Sequence, residues 1–316
     1  MSEVFFEQLS MPRPDIDLGV GSGSQARQTA EIMIAMEPAL EEKTPDWVLV
    51  YGDVNSTLAA ALVSAKLGLK VAHVEAGLRS FDWRMPEEIN RVVTDRLADL
   101  HFTSSRDGDA HLRSEGVPDH KIQFVGNVMI DTLLHLLPEA TSSGVTGLSS
   151  RYALVTVHRP ANVDDAGSAR RLLGTLSTLL DELQVVFPVH PRTRCRLESY
   201  GLALPHHERL LPLDPLGYLE FLALLKHATV VVTDSGGVQE ETTFLGVPCL
   251  TLRQSTERPV TVTEGTNVLV GNDDRLMRRH LRSVLAGDWK QGTVPERWDG
   301  RAAERIAEVL LGLAQK

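Results

Sequence analysis

The run Val230-Val231-Val232-Thr233 leads directly into Asp234-Ser235-Gly236-Gly237 and then into Val238-Gln239-Glu240-Glu241. β-Branched residues favour a buried strand, and a strand that passes at once through a glycine turn into a helix is a βα unit. The N-terminus of such a helix presents unpaired N–H groups and the positive end of a dipole, which suits a phosphate. Gly236 and Gly237 let a ligand approach the backbone with no Cβ in the way. Glu241 falls near one helical turn in, where a carboxylate can accept two sugar hydroxyls. A tight βα turn with no ligand fits the same pattern.

The same alternation runs through most of the chain. Residues 47–51, 70–75, 100–103 and 122–125 read as strands, and 56–67, 87–98 and 106–115 as helices. The first of these helices is expected to be capped near Asn55 or Ser56. A Ser/Gly/Thr-rich stretch at 141–150 is the best linker candidate. Beyond it, strands at 152–157, 185–189, 210–213, 229–233 and 249–252 alternate with helices at 166–183, 217–226 and 238–244. Parallel sheets buried on both faces follow, in an α/β fold of two domains, 1–146 and 147–316, with a cleft between them. The polar groups at strand ends are Asp53, Glu75, His158, His190 and Ser235, where such sheets bind ligands.

The length of 316 residues suits two domains, and 42% apolar with 23% charged residues describes a globular chain. The net charge is −10 with no long Lys/Arg block, which argues against nucleic acid or an anionic membrane as partner. A nucleotide diphosphate remains compatible, because helix ends and single arginines bind it. No apolar run is long enough to span a membrane, and no signal peptide is expected. Cys195 and Cys249 lack metal-type spacing, and a cytoplasmic enzyme without a metal is the simplest reading.

Each chemical group has a plain alternative. Asp53 serves equally as a helix cap or as a catalytic carboxylate. Glu75 ends an apolar strand, and a salt bridge to Arg79 is its ordinary role. Glu87 and Glu88 open a Pro86-initiated helix, where acids are common, although one of them can face the cleft. Carboxylates gathered at neighbouring strand ends repel, which raises at least one pKa and suits proton transfer near neutrality. His158, followed by Arg159, sits where a phosphate or leaving group would lie. Arg258 can pair a phosphate bidentately, or simply pair with Glu257 at the surface. Phe221, on a helix, reads as core packing.

Taken together these segments resemble the non-hydrolysing UDP-N-acetylglucosamine 2-epimerases. The resemblance rests on Gly52-Asp53, His73-Val74-Glu75-Ala76-Gly77-Leu78-Arg79, Pro86-Glu87-Glu88-Ile89-Asn90-Arg91 and Val157-His158-Arg159. It continues with Thr233 to Glu241, Thr256-Glu257-Arg258-Pro259 and Glu264-Gly265-Thr266, all in family order. It implies two Rossmann-like domains of glycosyltransferase-B type and a reaction with no redox cofactor. Proton removal at carbon 2 of the sugar accompanies loss of UDP from carbon 1. Re-addition to the 2-acetamidoglucal intermediate then gives UDP-N-acetylmannosamine. By resemblance, Asp53, Glu75 and Glu87 handle protons and sugar contacts, and His158 steadies the diphosphate. Ser235, Gly236 and Gly237 hold phosphates, Glu241 the ribose, Phe221 the uracil and Arg258 the charged or sugar portion. The partner implied is a UDP-sugar, and a homodimer is left open.

Two departures stand out. The family's opening strand and Gly-Thr-Arg-Pro-Glu segment are not in this sequence, which begins at what reads as a later helix over 2–9. The expectation is an N-terminal domain lacking its first strand or strands, less stable and less active than a form extended upstream. The Glu that many members carry after His-Arg is replaced here by Pro160-Ala161-Asn162-Val163-Asp164. A sugar transferase of the same fold and an inactive UDP-sugar-binding remnant are the competing functions.

Overall fold

The computed structural model describes residues 12–314; the helix expected over 2–9 lies outside them. The chain divides into two compact units, Pro12–Asp131 together with the stretch from Glu296 onward, and Thr132–Pro295.

The first unit carries a four-stranded parallel sheet of β1 (Trp47–Tyr51), β2 (Lys70–Ala76), β3 (Leu100–Thr103) and β4 (Ile122–Phe124), in that spatial order. Among the described residues β1 is an edge strand. Ala72, Val74, Leu100 and Phe102 pack with Val125 and Ile306 on one face, and Val50 and Val71 with Ala60, Ala61 and Ala98 on the other. Alternating faces of buried strands dictate this split. The helix after β1 begins at Asn55 but is capped by Val54, with no side-chain bond, so the expected polar cap is not made.

The predicted boundary at 146 is corrected in two ways. The division runs through the helix Val128–Leu136, and the serine-glycine stretch 141–150 belongs to the second unit. Residues from Glu296 on return to the first unit. Buried Trp298 donates Nε1–H to the Ser104 carbonyl at 2.9 Å. Asp131 accepts the free N–H groups of Ala302 and Ala303 at 3.1 and 2.7 Å, capping the helix Ala302–Ala314 from a distant part of the chain. Arg305 reaches the Val125 carbonyl at 2.9 Å. Truncating Trp298 to Ala removes a fully buried aromatic and orphans the Ser104 carbonyl, at an expected cost of about 3–5 kcal/mol. Hydrogen exchange at the β3 and β4 amides checks this; protection equal to that of the parent protein would mean the tail is an ornament.

The second unit has a six-stranded parallel sheet of β5 (Tyr152–Thr156), β6 (Gln184–Pro188), β7 (Leu210–Leu213), β8 (Val230–Thr233), β9 (Cys249–Thr251) and β10 (Asn267–Leu269). Its order is β10-β9-β8-β5-β6-β7. Chain order therefore reverses at β5, as in a doubly wound Rossmann sheet, and ligands bind such sheets at the carboxyl ends beside the reversal. The core of this unit is built from Ala153, Val155, Val185, Phe187, Val230, Val232 and Leu250 against Leu172, Leu176 and Leu179 of the helix Ala166–Leu180. Among the described residues no helix is long and apolar enough to cross a membrane.

Candidate functional site

In the first unit the chain turns out of β1 through Gly52, whose φ is +64°. Glu75 near the end of β2 also adopts a left-handed conformation, with φ +68°. A residue with a Cβ resists that conformation by roughly 1–3 kcal/mol, and such strain is concentrated at functional sites. Its origin is a bulge: Val74 pairs with Phe102 and Ala76 with Thr103, so Glu75 is the extra residue. The bulge brings its carboxylate against the β1 turn, where a methyl group built on Gly52 would sit 3.7 Å from Glu75 Oε2.

Asp53 follows Gly52 and is ion-paired to Arg91. Arg91 also binds Glu88 Oε2 at 2.5 Å, and Asn90 donates Nδ2–H to the Asp53 carbonyl at 2.9 Å. The helix Pro86–Leu97 is thereby tied to the Asp53 turn. The two glutamates at its start have separate employments. Glu88 is buried and accepts the N–H groups of Ser80 and Phe81 at 2.9 and 2.8 Å, which shapes the preceding loop. Glu87 is half-buried, and among the described residues no hydrogen bond or ion pair engages its side chain. The Glu75–Arg79 bridge, the ordinary alternative for Glu75, gives way to a different pairing. Arg79 binds Asp95 Oδ2 at 2.7 Å and Glu115 at 2.6 Å, because the left-handed Glu75 faces the β1 turn.

In the second unit His158 and Arg159 follow β5 and Asp234 follows β8, the two strands flanking the reversal. Buried Asp234 accepts the backbone N–H of His158 at 3.1 Å and of Arg159 at 2.8 Å, and Nδ2–H of Asn162 at 2.9 Å. His158 Nδ1 lies 3.4 Å from the same carboxylate, and its ring stacks on His190 at 5.1 Å. Burial, then the neighbouring His158 and Arg192, keep the His190 pKa low. His190 Nδ1 accepts the Arg192 N–H at 3.1 Å, so this ring caps the helix Pro191–Ser199.

The helix Gly236–Leu245 starts two residues earlier than its sequence pattern indicates, with Ser235 as N-cap. Gly236 and Gly237 are therefore first-turn residues rather than a separate turn. The close approach at Gly236 is made by the protein itself. A methyl group there would meet Arg258 Nη1 at 2.5 Å and Glu257 Oε1 at 2.7 Å. The Glu257–Arg258 pair is buried, not superficial as its loop position implies. Arg258 binds Glu257 at 2.5 Å and Glu240 at 2.9 Å, Arg253 binds Glu257 at 2.5 Å, and Arg159 lies 3.7 Å from it. Burial opposes charge on Glu257, but Arg258 and Arg253 outweigh it and hold its pKa far below the carboxylate range. The cluster places the guanidiniums of Arg258, Arg253 and Arg159 around Glu257 beside a helix N-terminus, whose free N–H groups suit an anion.

Glu241 is buried in the same helix, and the Tyr218 hydroxyl donates to its Oε1 at 2.8 Å. Tyr218 opens the helix Tyr218–Leu225, on which Leu222 and Leu225 are buried while Phe221 stays half-exposed, so core packing does not account for all of Phe221. Burial without a cation pushes the Glu241 pKa up to about 7. A raised carboxyl favours the protonated folded state. Its stability contribution is therefore intact near pH 4.5 and is lost as pH rises through about 7. The shift corresponds to about 3 kcal/mol. Glu241→Gln should melt higher than the parent at pH 8 and alike at pH 4.5, read from melting temperature against pH. Parallel curves would refute the assignment.

The sequence expectations named Asp53, Glu75, Glu87, His158, Ser235, Gly236, Gly237, Glu241, Arg258 and Phe221. The first three lie in the first unit and the other seven in the second. Missed were Arg91, which braces Asp53; Asp234, which stitches the His158 turn; Tyr218, on Glu241; and the pair His73–Asp95 described below. Asp234 had a signal, an acid at the end of a β-branched run in a segment already singled out.

Residues 1–311 match the family model described as UDP-N-acetylglucosamine 2-epimerase. The chain is 41% identical over 326 residues to the UDP-N-acetylglucosamine 2-epimerase of Methanococcus maripaludis, covering 99% of this chain and 88% of that one. It is 42% identical over 318 residues to the UDP-2,3-diacetamido-2,3-dideoxy-D-glucuronate 2-epimerase of Pseudomonas aeruginosa, covering 99% and 88%. Its structure is similar to the crystal structure of Methanocaldococcus jannaschii UDP-GlcNAc 2-epimerase in complex with UDP-GlcNAc and UDP. The TM-score is 0.88 at 39% identity, with 98% of this chain and 88% of that chain covered. The fold is accordingly two Rossmann-like α/β units of glycosyltransferase-B type, and the chain belongs to the UDP-N-acetylglucosamine 2-epimerase family.

Proposed function

We propose that this protein interconverts UDP-N-acetylglucosamine and UDP-N-acetylmannosamine. The observation that carries the reading is the bulged, left-handed Glu75 aimed at the Asp53 turn, with Glu87 opening the helix tied to that turn. Epimerisation at a carbon needs carboxylates that take and return a proton, and in this reading Asp53, Glu75 and Glu87 supply them. One carboxylate removes the proton from carbon 2 as the bond from carbon 1 to the UDP oxygen breaks. A carbon–carbon double bond forms, giving 2-acetamidoglucal. Return of a proton to the opposite face of carbon 2 and attack of the UDP oxygen on carbon 1 complete the reaction.

In the second unit the Ser235–Gly236–Gly237 helix start and the Arg258 cluster take the diphosphate. His158, fixed by Asp234, steadies it as it departs. Glu241 accepts from the ribose hydroxyls and Phe221 meets the uracil. The reading carries a cytoplasmic setting and needs no redox cofactor.

The relative acting on a UDP-2,3-diacetamido-2,3-dideoxy-D-glucuronate supports a second reading, the same chemistry on a sugar differing at carbons 3 and 6. Proton NMR in deuterated water distinguishes them when each nucleotide sugar is supplied in turn. Deuterium entering carbon 2 of UDP-N-acetylglucosamine supports the first reading. Incorporation only into the diacetamido uronate selects the second. Loss of the sugar to an acceptor without exchange points to a transferase, and no change in either sugar points to a binding remnant.

A further inference from the structure

Beneath the Asp53 turn lies a fully buried histidine to which the proposed proton transfers give no role. His73 Nδ1 is 2.6 Å from Asp95 Oδ1, and Nε2 is 2.8 Å from the Gly52 carbonyl oxygen. Both partners are acceptors. A neutral imidazole has one N–H and would set a lone pair against an oxygen at the other contact. The extra proton belongs on the ring, because Asp95 Oδ2 already receives Arg79 at 2.7 Å and the Gly77 N–H at 3.1 Å. We propose that His73 is a positioning residue of the carboxylate site: as an imidazolium bridging Asp95 and the Gly52 carbonyl, it holds the left-handed Gly52 turn against which Glu75 lies and from which Asp53 follows. The proposal rests on the epimerase reading for its consequences in turnover, though its structural claim stands apart from it.

The turn is pinned at both ends of Gly52, since its own N–H donates to the Val74 carbonyl at 3.0 Å. β2 thus controls Gly52 through two successive residues, His73 and Val74, and then presents Glu75 to it. The surrounding charges agree with one cation here. Burial opposes the charge of His73, yet Asp95 first, and then the Gly52 carbonyl and Glu75, carry its pKa upward. Burial likewise opposes Asp95, but His73 and Arg79 bring it down to about 2. On the next strand His101 donates Nε2–H to the Asp95 carbonyl at 2.8 Å. Its pKa is lowered by burial foremost and by His73. His101 is therefore the neutral member of the pair and His73 the charged one. Glu115 neutralises the far side of Arg79, and Arg91 holds Asp53 itself.

Two substitutions separate positioning from plain stability. In His73→Gln the amide nitrogen falls where Nε2 was, keeping a donor to Gly52 and losing Asp95. In His73→Asn the amide nitrogen falls where Nδ1 was, keeping Asp95 and losing Gly52. The Asn variant should lose about 10²-fold in kcat for carbon-2 deuterium exchange, the scale of misplacing a catalytic group by an ångström. Its KM and UDP affinity should stay within about twofold of the parent, because the turn makes no nucleotide contact in this reading. The Gln variant should keep most of its turnover, though it melts lower than the Asn variant. Activity that simply follows melting temperature in both variants, or full turnover in His73→Asn, overturns the proposal. A second measurement judges it without activity. The ¹⁵N shifts of both His73 ring nitrogens should be those of protonated nitrogen at pH 7, and one bare nitrogen there refutes it. A parent protein that exchanges no deuterium would sink the epimerase reading while the nitrogen shifts still decide the role of His73.

Discussion

Asp53→Asn, Glu75→Gln and Glu87→Gln should each lower turnover by about 10²–10⁴-fold, the usual worth of a positioned acid or base, while UDP binding should hold. The three differ in what else they disturb. The Glu87 side chain makes no hydrogen bond or ion pair among the described residues, so Glu87→Gln should lower the melting temperature by no more than the loss of one first-turn acid, worth about 0.3–1 kcal/mol of stability. Asp53→Asn weakens the ion pair with Arg91, a buried guanidinium shared with Glu88, and should lower it. Glu75→Gln preserves shape but not charge beside Gly52, in a conformation the backbone already resists. Single-turnover deuterium exchange with calorimetry on the same samples checks all three. Turnover like the parent's in every variant would remove proton transfer from this unit.

Asp95→Asn should cost about 3–5 kcal/mol, because it leaves two buried cations, His73 and Arg79, without their shared anion. The parent's pH dependence follows from the same cluster. The depressed Asp95 contributes stability that is present above its ordinary value of 3.8 and is lost as pH falls through about 2. The raised His73 contributes stability that is complete below its ordinary 6.5 and is lost as pH climbs through its higher folded value. The cluster therefore supports the first unit most strongly between those two ordinary values. Asp95→Asn should flatten both limbs, as measured by urea unfolding of parent and variant across the acid and alkaline range. An unaltered profile would place the titrating groups elsewhere.

The sheets were legible in the sequence because a buried parallel strand is a short β-branched run and its helix follows directly. Val230–Thr233 and the helix after it are the clearest instance. Side-chain employment was less legible wherever a partner lies far along the chain. Glu87 and Glu88 are neighbours in sequence with the same chemistry. Only the Ser80 and Phe81 N–H groups, and Arg91, decide which one is spent on structure. Pairing of Arg79 within its own segment was the ordinary alternative read for Glu75. Its partners instead lie 16 and 36 positions on, at Asp95 and Glu115, because a bulge that no local propensity announces turns Glu75 aside. Gly236 was read as room for a ligand, and the space is taken by a guanidinium from the Arg258 loop. The return of Trp298 and the last helix left no local trace, since their patterning is that of any amphipathic tail.

That return has a consequence for the order in which the protein is made. Asp131 emerges from the ribosome long before the Ala302 and Ala303 N–H groups it caps. At about 5–20 residues per second, roughly ten to thirty seconds separate them. Throughout that interval the second unit can be synthesised and folded, whereas the sheet begun first still lacks Ile306 from its core and Trp298 from the end of β3. The earliest part of the chain is thus the last to close. A chain that stops before Glu296 therefore carries a second unit whose strands are all made, attached to a first sheet that still exposes the apolar surface Ile306 and Trp298 would cover.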